Sequence, residues 1–115
     1  MPLPVEQKQV DIYLDKDGKA PFSIWMNDLV DVKGRAKVRE RIARLRLGNM
    51  GDCEPVGEGV SELRIHYGPG YRVYIGQDGK TIVVLLLGGT KRSQKNDIKT
   101  AKILWQDYKE RANEK

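Results

Sequence analysis

The sequence predicts an α+β fold in which a mostly antiparallel, twisted sheet packs against helices in the order β-α-α-β-β-β-α. Three observations predict it. Apolar and polar residues alternate with period two at Val10–Leu14 and again from Leu63 to Ile75. Apolar residues recur every three to four positions from Phe22 to Leu45 and from Ile98 to Tyr108. Between these patterns, the run Ile82–Leu87 is apolar at every position and bounded by turn residues, as a strand covered on both faces would be. A chain of 115 residues supports one core, so residues 1–115 read as a single domain.

In the first strand Val10, Ile12 and Leu14 alternate with Asp11, Tyr13 and Asp15, and Asp17-Gly18 forms the turn that ends it. A helix begins at Pro21, which suits a first helical position, and carries Phe22, Trp25, Leu29 and Val32 on one side. Gly34 marks the break before a second helix whose stripe is Val38, Ile42 and Leu45, with Gly48-Asn49 at its C-terminal end. The two read as a helical hairpin. A glycine-rich passage from Gly51 to Gly59 leads to a β-hairpin turning at Gly68-Pro69-Gly70, and Gln77–Lys80 forms the next turn. The strand Thr81–Leu87 anchors the sheet and ends at Gly88-Gly89. A final helix from about Ser93 to Arg111 turns Ile98, Ala101, Leu104, Trp105 and Tyr108 to the core. Only the first few and last few residues are expected to fray.

The longest apolar run is far shorter than the roughly 20 residues a membrane helix needs. The N-terminal MPLPVEQKQV carries neither a basic leader nor an apolar core, and the single Cys53 has no disulfide partner, so the cytoplasm is the expected compartment. Cys53 also lacks His or Cys neighbours at ligand spacing, so no metal or cofactor is expected. The 21 Lys and Arg exceed the 16 Asp and Glu, and the excess is concentrated. Arg35, Lys37, Arg39, Arg41, Arg44 and Arg46 lie on the second helix with only Glu40 to oppose them, which favours a polyanionic partner.

The hairpin carries the chemistry. Leu63, Ile65, Tyr71, Val73 and Ile75 share its apolar side, while Glu62, Arg64, His66, Arg72 and Tyr74 share the other. If Tyr67 pairs with Tyr71 across the three-residue turn, Arg64 opposes Tyr74 and His66 opposes Arg72, about 4.5 to 5.5 Å apart at Cβ. Two guanidiniums, an imidazole and a phenol would then share one exposed patch.

The block RLRLGNMGDCEPVGEGVSELRIHYGPGYRVYI, the strand ending LLLGGTKRSQ and the helix start DIKTAKILWQ together resemble the RelE/ParE superfamily of toxin-antitoxin toxins. The similarity is greatest to its HigB-like addiction module killer group, related to a phage protein, and covers nearly the whole chain. The resemblance implies a RelE-like fold and a growth-arresting toxin held inactive by a cognate helix-turn-helix antitoxin. Many members are ribosome-dependent endoribonucleases that cut mRNA; others poison DNA gyrase without cutting RNA, and a phage-derived binding module without nuclease activity is a further alternative. In the resemblance Arg72 matches the strand arginine that nuclease members place near the scissile phosphate. Arg64 matches a basic position on the preceding strand, and Lys91 or Arg92 a further one. Glu62 stands where some nuclease members have lysine, and no tyrosine or histidine stands near Asp97 or Ile98, where some members keep an acid.

Metal-free RNA cleavage needs a base for the 2′-hydroxyl, cations for the phosphate and an acid for the leaving 5′-oxygen. His66 is the side-chain type that titrates nearest neutrality and is the candidate base. Arg64 and Arg72 grip phosphate oxygens through planar forks, Tyr74 orients a base or donates a proton, and Lys91 and Arg92 assist. The cations of the second helix, together with Lys95, would meet mRNA or ribosomal RNA. Each feature has a plainer reading. His66 is simply solvated, Arg64 and Arg72 form surface ion pairs with Glu62 or Glu58, Tyr74 packs, and the arginine-rich helix faces solvent or an acidic antitoxin segment. Trp25, Trp105 and Tyr108 read as core.

Overall fold

The computed structural model describes residues 7–113; the expected fraying falls on residues outside that range. Its elements are β1 (Gln9–Ile12), α1 (Pro21–Asp28), α2 (Val32–Arg46), β2 (Cys53–Gly57), β3 (Val60–Ile65), β4 (Tyr71–Asp78), β5 (Ile82–Thr90), a 3-10 turn (Lys91–Ser93) and α3 (Gln94–Asn113). The fold is α+β as expected, with one strand more. β2 occupies the glycine-rich passage and pairs antiparallel with β3 at the sheet edge, where Pro55 is tolerated because its missing N–H faces outward, and a bulge follows before Gly57.

The sheet order is β1-β5-β4-β3-β2, with β1 parallel to β5 and every other pair antiparallel. β5 is paired on both edges and buried on both faces, as its unbroken apolar run predicts. The strand does not stop at Leu87 but continues through Gly88 and Gly89 to Thr90. Gly88 lies under the Trp25 ring and Gly89 against Asp97 and Ser93, so a Cβ at either would collide with them. These glycines serve close approach rather than a turn.

The two faces are covered by different helices. On one, α1 and α2 pack Phe22, Val38, Ile42 and Leu45 onto Leu63, Ile65, Tyr71, Val73, Ile75, Val83 and Leu85. On the other, α3 lays Ala101 and Trp105 over Val60, Tyr74, Val84 and Leu86, with Trp105 directly above Gly76 and stacked on Tyr108 at 5.0 Å. A bulge between Tyr74 and Ile75 pairs Tyr74 with Leu87 and Ile75 with Leu85, which turns Leu86 and Leu87 to the same side.

Two local expectations are corrected. The helix break lies at Leu29–Asp31, not at Gly34: Asp31 caps α2 by accepting from the Gly34 N–H at 2.9 Å, and Gly34 sits in the first turn where Tyr71 leaves no room for a side chain. In the first strand only Val10 joins the α1/α2 core. Ile12 and Leu14 are exposed, while Tyr13 is buried under α3 and donates to Asp107 at 2.6 Å. The stripe of α2 and its C-terminal end agree with expectation, Asn49 N–H bonding Arg44 C=O and Gly48 N–H bonding Leu45 C=O.

Candidate functional site

Parity on the hairpin is as the sequence implies, but its register is shifted by two residues. Ile65 pairs with Tyr71, so the turn runs from His66 to Gly70; Arg64 opposes Arg72 and Glu62 opposes Tyr74. The Tyr67 N–H bonds Ile65 C=O and the Gly70 N–H bonds Tyr67 C=O, tightening the loop before the strand pairing begins. His66 therefore leaves the strand and does not face Arg72. The single patch divides into two sites that share Arg64.

The first is centred on Glu62, which is 0% exposed. Its carboxylate accepts from Arg64 Nε at 2.9 Å, from the Tyr74 hydroxyl at 3.1 Å and from Gln94 Nε2 at 2.9 and 3.2 Å, with Arg72 Nε 3.6 Å away. Burial alone would raise the Glu62 pKa. The hydrogen bonds from Arg64, Gln94 and Tyr74 and the charge of Arg72 outweigh it and hold the carboxyl below its ordinary range. Tyr74 is 0% exposed and its hydroxyl is pushed well above its ordinary value, first by burial and then by Glu62. Arg72, 9% exposed, donates through Nη1 to Gly70 C=O at 2.7 Å and leaves a buried Nε without a hydrogen bond. The exposed placement expected of Arg72 and Tyr74 is thus corrected: α3 and the 3-10 turn close over them. The ion pairs with Glu62 do form, that of Arg72 in the interior and that of Arg64 reaching in from a part-exposed side chain. Lys91 and Arg92 stand exposed on the 3-10 turn at its rim, the Lys91 N–H bonding Gly70 C=O at 2.9 Å.

The second site is a groove of about 340 Å³ between α2 and the β3–β4 turn, lined by Lys37, Arg44, Asp52, Arg64 and His66 among others. His66 has a side chain 77% exposed, and its Nε2 lies 2.5 Å from Asp52 Oδ2, the contact that orients the ring. The first cause of the raised Arg64 pKa is its bond to Glu62, with Asp52 and Glu54 adding further negative charge nearby. An exposed imidazole held by a carboxylate amid lysine and arginine can accept a proton beside a bound anion.

The cations of α2 do not act together. Lys37 and Arg44 line the groove; Arg39 and Arg46 line a separate depression with Phe22, Met26 and Ile42. Arg35 is half-buried, with an Nε lacking a partner. Arg41, expected among the exposed cations, is buried and donates to the carbonyls of Met50 and, at 3.1 Å, Asp52, fastening the loop that carries Asp52. Arg44 pairs with Glu40 at 3.5 Å, and Lys95 is exposed on α3. Asp52 and Gln94 carried no signal of their own in the sequence; Glu62 did, as the one acid on an otherwise cationic face. Among the described residues no cluster of His, Cys, Asp and Glu could hold a metal ion, and no helix is long and apolar enough to cross a membrane.

No protein-family model matches the chain. Over 86 residues it is 45% identical to an uncharacterized protein of Haemophilus influenzae, a match that spans 75% of this chain and 87% of the relative.

Proposed function

The chain belongs to one family with that Haemophilus influenzae protein, and we propose that it is the RelE/ParE-type toxin of a type II toxin-antitoxin pair, cutting mRNA on the ribosome without a metal. The observation that carries this reading is the His66–Asp52 contact at 2.5 Å inside a groove lined by Lys37, Arg44 and Arg64. The arrangement supplies a positioned base beside cations that receive phosphate. His66 takes the proton of the 2′-hydroxyl while Asp52 holds the imidazole in orientation. The 2′-oxygen attacks the adjacent phosphorus, Arg64 offsets the growing charge, and the bond to the 5′-oxygen breaks as that oxygen takes a proton from water, leaving a 2′,3′-cyclic phosphate and a 5′-hydroxyl. Glu62, Arg72, Gln94 and Tyr74 position Arg64 from beneath, and Lys91 and Arg92 meet the flanking strand. A cognate helix-turn-helix antitoxin holds the toxin in check.

Expression without the neighbouring antitoxin gene is expected to arrest growth and to produce new mRNA 5′ ends between codon positions. His66→Ala is expected to lower cleavage by about 10² to 10⁴ with the fold intact. A folded His66→Ala or Arg64→Ala protein that cuts at the wild-type rate removes these assignments.

One observation favours a second reading, a non-catalytic inhibitor of DNA gyrase in the same fold: Glu62 engages the arginines that a nuclease of this type would turn to the phosphate. Growth arrest with intact transcripts and induced DNA-damage signalling would select it.

A further inference from the structure

α3 packs along most of its length, from Gln94 on Glu62 to Arg111 over the Tyr13 ring, and one of its exposed flanks carries a row of lysines. Ala101 and Trp105 turn to the sheet. Lys95, Lys99, Lys102 and Lys109 recur on another side at steps of three, four and seven residues, in line with Lys91 and Arg92 on the preceding 3-10 turn. All except the half-buried Lys102 are exposed, and among the described residues none of the six is in an ion pair. The nearby acids are partly engaged elsewhere: Asp107 accepts from Tyr13 and Arg111, and Glu110 from Gln106. Lys99, Lys102 and Lys109 line a shallow depression of about 780 Å³ together with Ile103, which is 69% exposed, and with the carboxylates of Glu58, Asp107 and Glu110.

We propose that this flank of α3 is an RNA-docking track that receives the backbone of a single-stranded RNA and leads it towards Arg64, which joins the Glu62 cluster to the His66 groove. The inference rests on RNA being the target. Successive cations rise by about 4.5 to 6 Å as far as Lys102 and by about 10.5 Å from there to Lys109, and the track from Lys91 to Lys109 is about 27 Å long, which suits the repeated charges of a nucleic-acid backbone better than one anion. Ile103 supplies an apolar contact for a ribose or an unstacked base. The start of the track lies near Arg64, which lines the His66 groove: Gln94, the first residue of α3, is bonded to Glu62, and Glu62 accepts from Arg64. The α2 cations lie across the sheet and cannot be part of the same track.

The test is fluorescence anisotropy with a labelled single-stranded RNA over a range of salt, in a His66→Ala background that binds without cutting. Replacing Lys99, Lys102 and Lys109 together by Ala is expected to reduce the slope of log K against log salt by about 2, at about 0.7 per lost phosphate contact. The same three positions changed to Arg should keep the slope, since the track needs charge rather than lysine. An Ala triple variant with an unchanged melting temperature and an unchanged slope overturns the track. So does wild-type binding that lacks any salt dependence. Because binding is read separately from cutting, a protein that docks RNA through α3 but produces no new transcript ends defeats the nuclease reading and leaves this one standing.

Discussion

Glu62 shows how one side chain reorganises a cationic face. A carboxylate with no exposed surface is costly unless its oxygens are saturated, and here Arg64, Gln94 and Tyr74 donate to it while Arg72 lies beside it. Removing the carboxylate strands two guanidiniums and a phenol. Glu62→Ala is therefore expected to destabilise the fold by about 3 to 5 kcal/mol, read from the urea midpoint. The same residue ties stability to pH. A carboxyl whose pKa is lower in the folded than in the unfolded chain contributes fully above the unfolded value of about 4, and that contribution is lost as pH falls through the folded value. Glu62, Asp31 and Asp107 are all depressed, so stability is expected to fall steadily below pH about 4. Glu62→Gln should flatten that fall; an acid limb as steep as wild type would show that Glu62 carries none of it. The sequence marked Glu62 as the exception on its face, but burial depth is invisible locally, and so was the enclosure of Tyr74.

Asp31 is the junction through which the short α1–α2 connection is held to the sheet. Its carboxylate caps α2 at the Gly34 N–H and accepts the Tyr71 hydroxyl at 2.7 Å; the Gly34 bond is the larger cause of its lowered pKa, and the Tyr71 bond adds to it. Asp31→Ala is expected to cost about 0.5 to 2 kcal/mol for the cap alone. Gly34→Ala would ordinarily favour a helix, yet here its Cβ would lie 2.6 Å from the Tyr71 ring. Destabilisation of about 1 to 3 kcal/mol is expected from that overlap, and a stabilised variant in thermal melts would contradict the packing described. α2 itself was legible from Val38, Ile42 and Leu45. Its start was not, because glycine usually marks a break and only the contact with Tyr71, 37 positions away in the chain, explains one inside a first turn. β2 was missed for the related reason that Pro55 and its flanking glycines read as loop until an edge position makes them admissible.

The molecule places its two helical layers on opposite sides of one sheet and fastens them with buried tyrosines. Tyr13 and Tyr71 are each pushed up to about 12, in both cases chiefly by burial and then by the aspartate each donates to, Asp107 and Asp31. A group whose pKa is raised on folding contributes fully below its unfolded value, about 10 for tyrosine, and loses that contribution as pH rises through the folded value. Stability is thus expected to hold to pH about 10 and to fall as pH approaches 12. Ultraviolet titration should show the tyrosinate absorbance of these side chains appearing together with loss of the fold; tyrosine ionisation complete near pH 10 in the folded protein would refute it.

Hydrophobic period decided the type of nearly every element and the side each residue takes, because strand parity and helical repeat are properties of the chain over a few residues. The division of Leu63, Ile65, Tyr71 and Val73 from Glu62, Arg64, Arg72 and Tyr74 was fully legible in this way. Which residue stands opposite which, and which polar group is sealed from water, depended on contacts between distant segments. A shift of two residues at the His66–Gly70 turn preserves every parity while exchanging every partner. The landing of Trp105 on Gly76 brings α3 across the arginine face, burying Arg72 and Tyr74 and leaving His66 outside with Asp52. That placement is a balance of long-range packing energies, and no local pattern encodes it.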